Sequence, residues 1–422
     1  MKKCFFVVFL CAAFSAQAQF DTYFWNKTLR MDYFHCGDYN SEQFFFDELL
    51  EEPYWGGSKT QLIDNTFYGN YYVNIYDAIT RELIYSRGFC SLFGEWKTTD
   101  EAKTTRRCCT ETVVFPFPRE NVIVELMVRS KKGVFEKSYE QVIDINSQHI
   151  KKGRRLSYPS SDIVYSGNPA TKVDVVLLPD GYTLEEMDKF KKDCEVFSHA
   201  LFSYSPYKEQ LSDFNIRAVM APSIDSGSDI PAENIWKNTN LDASFSTFDT
   251  ERYIMTYDNK SVRDMAANVP YDLIYIISNS KKYGGGAIYN HYGLSTAGNE
   301  KTAKVYVHEF GHLLLGLGDE YVGGAAYNEM YPLDVEPWEP NLTTLVNFDK
   351  KWKNKLDKNT PTPTPIDPKN PNKLGVYEGG GYLEKGIYRP LPNCMMNSIH
   401  VTDEFCPVCK EAIAKQIEIY TK

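Results

Sequence analysis

The sequence predicts two unlike halves: an N-terminal all-β sandwich over residues 19–150, then an α/β (α+β) domain over 169–422. Three observations carry that prediction. Short β-branched and aromatic runs, separated by turns, fill the chain to about residue 150. From Val173 the character changes to continuous apolar strands alternating with helix-periodic stretches. Between the two, residues 151–168 are basic and then rich in Ser, Pro and Asn, which reads as a linker. A chain of 422 residues with 43% apolar and 14% aromatic content can fill two or three cores.

The elements follow in order. Residues 1–18 have the parts of a secretory signal peptide: Lys2 and Lys3, a short apolar run from Cys4 to Ser15, then Ala16-Gln17-Ala18. The run is too short to span a bilayer and no later stretch approaches a transmembrane segment. Cys11 follows Phe9-Leu10 rather than the small residues that precede a lipidated cysteine, so a free exported protein is expected, secreted, periplasmic or envelope-associated. Losing Lys2 and Lys3 with no acid takes the net charge from −10 to −12, which disfavours nucleic acid and anionic membranes as partners.

In the β region, Tyr71–Tyr76 and Glu82–Tyr85 flank a turn. Thr112–Phe115 and Asn121–Val128 are joined by Pro116-Phe117-Pro118, and Lys131-Lys132-Gly133 reads as a hairpin tip before Val134–Ile145. No chemistry is evident there. The cluster Lys151-Lys152-Gly153-Arg154-Arg155 reads as solvated linker; the alternative is a protease-sensitive joint that would make the first domain an activation segment.

In the second half, Val173–Leu178 predicts a buried strand, and Thr183 with Glu186 a capping box. Met187, Phe190, Cys194, Phe197 and Leu201 then recur at helical spacing. Phe214–Met220 and Leu273–Ile277 predict further buried strands. Gly284–Tyr289 reads as an exposed edge strand, to which an extended peptide could add, or as a glycine loop. Residues 331–381, with their Thr360–Pro365 repeat, predict a Pro-rich insertion running over the surface near the cleft.

The decisive segment is Val307-His308-Glu309-Phe310-Gly311-His312-Leu313-Leu314-Leu315-Gly316-Leu317-Gly318-Asp319-Glu320-Tyr321. Helical residues four apart share a face, so His308 and His312 can present two imidazoles to one Zn2+. Glu309 stands where a carboxylate can take a proton from the attacking water and return it to the leaving amine. Zinc lowers the pKa of water to about 7 and polarises a carbonyl, so this pattern points to a metallopeptidase. Gly316 can end the helix in a left-handed conformation, and Asp319 lies just beyond as a candidate third ligand. The adjacent Glu320 and the more distant Glu329 are the alternatives.

This layout resembles a metzincin, in which a glycine turn after H-E-x-x-H returns a third His or Asp to the metal above a methionine turn. Cys394-Met395-Met396-Asn397 is placed to supply that turn, with Met396 preferred over Met395. The glycine and the acid each fall one residue later than usual, since Leu315 and Gly318 occupy the usual positions. That longer form, with Asn393–Met396 and Phe405–Cys409, resembles the bacterial IgA-peptidase family of zinc metallopeptidases. The resemblance implies an N-terminal β-domain on a metzincin-like catalytic domain, and a protein or peptide substrate for which the family name suggests immunoglobulin. A non-catalytic surface protein that holds a metal, or a cell-wall peptide amidase, are the alternative functions.

Other residues are weaker candidates. Tyr388 could donate to a transition-state oxyanion, and His291 and His400 could touch substrate, though a structural role is the plainer reading of all three. Eight cysteines follow residue 18: Cys36, Cys90, Cys108 and Cys109, then Cys194, Cys394, Cys406 and Cys409. Disulfide pairing within each half is arithmetically possible. Cys394 with Cys406-Pro407-Val408-Cys409 could instead bind a second metal, although a four-thiolate site usually brings two such pairs.

Overall fold

Runs rich in aromatic and β-branched residues give the N-terminal region its strands. In this computed structural model, which describes residues 19–153, 156–323 and 330–422, they form β1 (Phe24–Gly37), β2 (Glu42–Glu52), β3 (Tyr71–Asp77), β4 (Leu83–Phe89), β5 (Arg107–Pro118), β6 (Val122–Arg129), β7 (Phe135–Ile143) and β8 (Ile150–Lys152). The expected signal peptide, Arg154-Arg155 and Glu329 lie outside the described residues. Two four-stranded sheets, ordered β5-β1-β2-β8 and β4-β3-β6-β7, face each other across one core. Leu29, Met31 and Phe115 fill it from one side, Val73, Ile75 and Val124 from the other. Pro116-Phe117-Pro118 does not join two strands as expected but continues β5, pairing with Phe24, Trp25 and Thr28. β5 is an edge strand, where a missing N–H can face away from the ladder.

The second region is a six-stranded sheet ordered β13-β14-β12-β10-β11-β9. Its members are β9 (Ser160–Val164), β10 (Val173–Asp180), β11 (Phe214–Val219), β12 (Leu273–Ser278), β13 (Gly285–Ala287) and β14 (Gly293–Thr296). The four inner strands are parallel, and the edge strands β9 and β13 run antiparallel to their neighbours. β10, β11 and β12 are buried along their whole length because both faces are covered. On one face lie α2 (Met187–Leu201), α4 (Thr302–Leu315) and α5 (Pro407–Thr421). On the other lie α3 (Asn259–Ala266) and, from the first region, Cys90 and Leu92, the latter opening the short helix α1 (Leu92–Trp96). The Thr183–Glu186 capping box forms, with the Thr183 N–H donating to Glu186 Oε2 at 3.0 Å, and Phe190, Cys194, Phe197 and Leu201 point into the core. The chain is thus an α+β protein with a β-rich N-terminal region.

Two further expectations need correction. The stretch 151–168 is not a bare linker: it carries the end of β8 and all of β9, which pairs with β11. Ser160-Ser161-Asp162 lacks the apolar signature of a strand because an edge strand faces solvent on one side. Residues 331–381 are not merely a surface excursion either. Leu342, Trp352 and Val376 are fully buried, and β15 (Tyr377–Gly380) pairs with β16 (Leu383–Arg389). Trp352 enters the core with its indole N–H on the Gly375 carbonyl at 2.8 Å.

The β region docks on the second region through buried polar contacts. Arg30, 1% exposed, is held bidentately by Asp32 and donates to Asp264 Oδ1 across the interface at 2.7 Å. Asn259 Nδ2 reaches Thr112 Oγ1 at 2.8 Å, and the Cys90 N–H donates to the Tyr289 carbonyl at 2.9 Å.

Candidate active site

Helix α4 is apolar on nearly every side, so it is buried and its few polar side chains are held rigidly. His308 and His312 leave it on one face, with Nε2 atoms 3.1 Å apart. The helix ends at Gly316 in the left-handed conformation, φ 62° and ψ 47°, with its N–H on the His312 carbonyl at 2.8 Å. Only glycine fits, because a Cβ would lie 2.2 Å from the Trp338 ring. The turn sends Leu317–Glu320 back beneath the helix, and Asp319 Oδ1 comes to 3.2 Å from His308 Nε2 and 3.3 Å from His312 Nε2.

Three ligand atoms separated by 3.1–3.3 Å match a tetrahedral zinc site, where bonds of about 2.0–2.1 Å put ligands about 3.3 Å apart. Asp319 Oδ1 is buried and accepts no hydrogen bond. Each imidazole points Nδ1 at a carbonyl, His308 at Met395 O (2.9 Å) and His312 at Leu317 O (2.5 Å). A carbonyl only accepts, so Nδ1 carries the proton and Nε2 offers its lone pair inward. Charge favours a cation as well. Against burial, Asp319 raises His308 and pushes His312 up to about 9; against burial, the histidines hold Asp319 well below the usual carboxylate range. An acid that gathers protons between two imidazoles suits a divalent ion in their place.

Glu309 lines the same cleft and is 8% exposed. Burial raises its pKa and the two histidines oppose the rise. Met396 lies beneath the helix, its Sδ 3.2 Å from where a Cβ on Gly311 would stand. Its carbonyl accepts the Glu320 N–H at 2.8 Å, while the neighbouring Met395 carbonyl orients His308. Glu320 itself turns away from the histidines, fully buried, with Oε1 accepting from Asn341 Nδ2 at 2.9 Å. Tyr388, His291 and His400 are not brought to the cleft. Tyr388 pairs through its backbone with Thr343, His291 is buried and pushed down to about 3 by burial, and His400 is exposed.

The family described as IgA Peptidase M64 matches residues 162–370 and 366–417, and the family described as Peptidase M64 N-terminus matches residues 19–140. The chain belongs to the IgA Peptidase M64 family. It is therefore a member of a peptidase family, with a protein substrate. No curated protein matches it. The M64 match spans α4, the turn after it and α5 as far as Ile417.

Several residues of the M64 cleft carry no local signal in the sequence. Tyr382 donates to Asp319 Oδ2 at 2.6 Å from 63 residues away. Asn341 clamps the ligand loop through both the N–H and the carbonyl of Gly318 at 2.8 Å. Arg252 lines the wall and donates to Tyr321 Oη at 3.3 Å. Glu95 reaches in from the β region and accepts from Tyr253 Oη at 2.5 Å; burial raises it to about 7. Edge strand β13 forms the upper wall, but Gly285 and Gly286 are buried in the cleft rather than openly exposed.

Proposed function

We propose that the chain is an exported zinc-dependent endopeptidase, with His308, His312 and Asp319 as the metal ligands and Glu309 as general base. The observation that carries this is the convergence of two imidazole Nε2 atoms and one carboxylate oxygen within 3.1–3.3 Å, in the cleft that Glu309 lines. A bound zinc ion would supply a water of lowered pKa and polarise the scissile carbonyl. Glu309, its basicity raised by burial, accepts the proton of the attacking water and passes it to the departing amine. The layout, with a left-handed glycine turn and Met396 under the ligand helix, favours a metzincin-like assignment.

Substrate geometry is suggested by β13. Gly285–Ala287 runs antiparallel to β14 at the sheet edge and lines the cleft, and although the Gly285 N–H is already on the Arg252 carbonyl at 3.4 Å, an extended peptide could pair with the rest of that edge and cross the metal. A Cβ at Gly285 would stand 2.8 Å from Val305 and 3.3 Å from Glu309 Oε1, so glycine there lets the strand lie close over the helix. An export route agrees with the Cys36–Cys108 disulfide; among the described residues no helix is long and apolar enough to cross a membrane.

The test is cleavage of a quenched casein and of immunoglobulin A by wild type and Glu309→Gln, with zinc content measured on both. General-base loss should lower turnover about 10²–10⁴-fold and leave zinc bound. Equal cleavage by both proteins would remove Glu309 from its role. A zinc-loaded wild type that cleaves neither substrate would favour a metal-holding surface protein.

A further inference from the structure

Asp319 and Glu320 are neighbours in sequence and face opposite ways. Glu320 enters a second cluster, with Cys394, Cys406 and Cys409, in which one ligand atom from each residue lies within 4.8 Å of all the others. All four are buried, the three cysteines at 1% exposure or less. We propose that Glu320, Cys394, Cys406 and Cys409 bind a second, structural zinc ion beneath the candidate active site.

The spacing favours a metal over the other fates of buried thiols. Zn–S bonds of about 2.3 Å and Zn–O bonds of about 2.0–2.2 Å, arranged tetrahedrally, put sulfurs about 3.8 Å apart and sulfur and oxygen about 3.5 Å apart. Cys394 Sγ and Cys409 Sγ stand 3.8 Å apart, and Cys409 Sγ and Glu320 Oε1 3.4 Å. A disulfide needs about 2.05 Å, and any pair drawn from three cysteines strands the third beside a buried carboxylate. Glu320 Oε2 is itself buried with no hydrogen-bond partner.

Backbone donors already serve the sulfurs. The Cys406 N–H points to Cys394 Sγ at 3.2 Å, and Cys406, the cap of α5, accepts the Cys409 N–H at 3.4 Å. Such donors suit thiolates at the positive end of a helix. The missing second Cys pair, which counts against a metal on sequence grounds, is replaced by Cys394 and a carboxylate from the loop after α4. The ion would tie three segments together: that loop, the turn that orients His308 and α5. It is a scaffold for the ligands above it.

The experiment uses the full mature chain. Elemental analysis should give about two zinc ions in wild type, one in His308→Ala/His312→Ala and one in Cys406→Ser/Cys409→Ser. The cobalt-substituted histidine variant should keep a thiolate-to-cobalt charge-transfer band that a site of two histidines and an aspartate cannot produce. Should the cysteine variant not fold, a mercurial reagent added to the histidine variant should release one zinc. A histidine variant with no zinc and no such band would overturn the proposal, as would a non-reducing peptide map showing a disulfide among the three cysteines. Neither result bears on catalysis, which Glu309→Gln tests separately.

Discussion

Replacing Tyr382 by phenylalanine deletes one hydroxyl and leaves the ring in place. That hydroxyl lies 2.6 Å from Asp319 Oδ2, inside the range of about 2.5–2.7 Å for an O–H donor on a carboxylate. Asp319 is 7% exposed, so water does not freely replace the lost donor. Hydrogen bonds to charged groups contribute about 1.5–3 kcal/mol. If Asp319 holds zinc as proposed, at about 1.4 kcal/mol per decade this is a loss of about 10–100-fold in zinc affinity, the size expected for a partner that orients a metal ligand. Competition against a chromogenic chelator at fixed pH measures it, with thermal unfolding of the metal-free proteins as the control for folding. An affinity within about twofold of wild type would refute the claim that Tyr382 sets the position of Asp319.

Other outcomes follow from single features. Gly316→Ala forces a Cβ into the left-handed region and against Trp338, so stability should fall by at least about 1–2 kcal/mol in urea unfolding, and an unchanged midpoint would contradict the turn described. Replacing Cys36 and Cys108 by serine opens a cross-link between residues 72 apart, for which chain entropy gives a loss of up to ~4 kcal/mol by the same measurement. Asp180 is fully buried, with Oδ2 unpartnered, and burial raises it to about 7. Its folded pKa exceeds the unfolded value of about 3.9, so the stability it contributes is complete below pH ~4 and is lost as pH rises through about 7. Asp180→Asn should therefore gain on wild type between pH 4 and 8, and parallel stability curves would show that Asp180 does not carry the effect.

What was legible in the sequence was what repeats locally. The helix period around His308 and His312, the glycine after it and the buried runs of β10, β11 and β12 are patterns within a few residues of themselves. Tyr382, Asn341, Arg252 and Glu95 meet the ligand loop or the cleft from far along the chain, and no local spacing marks them. Composition misled in the 331–381 stretch, because prolines and lysines set its average while Leu342, Trp352 and Val376 set its packing. Cysteine arithmetic allowed a disulfide within the first half, and one forms there, but it could not say which cysteines pair. Only Cys36 and Cys108 pair among the described residues; Cys90, Cys109 and Cys194 are buried singly, and the three C-terminal cysteines gather around an acid.

The docking of the β region bears on how such an enzyme could be switched on. Cleavage near residue 154, followed by release of everything before it, would carry away Glu95 and Ser91 from the cleft wall and break the Arg30–Asp264 ion pair. An inhibitory propeptide leaves a finished cleft behind when it departs. This segment would leave a breached one, so a nick in the joint would be silent while both pieces stay clasped. The smallest portable unit for grafting or trimming then includes both the β region and the second region.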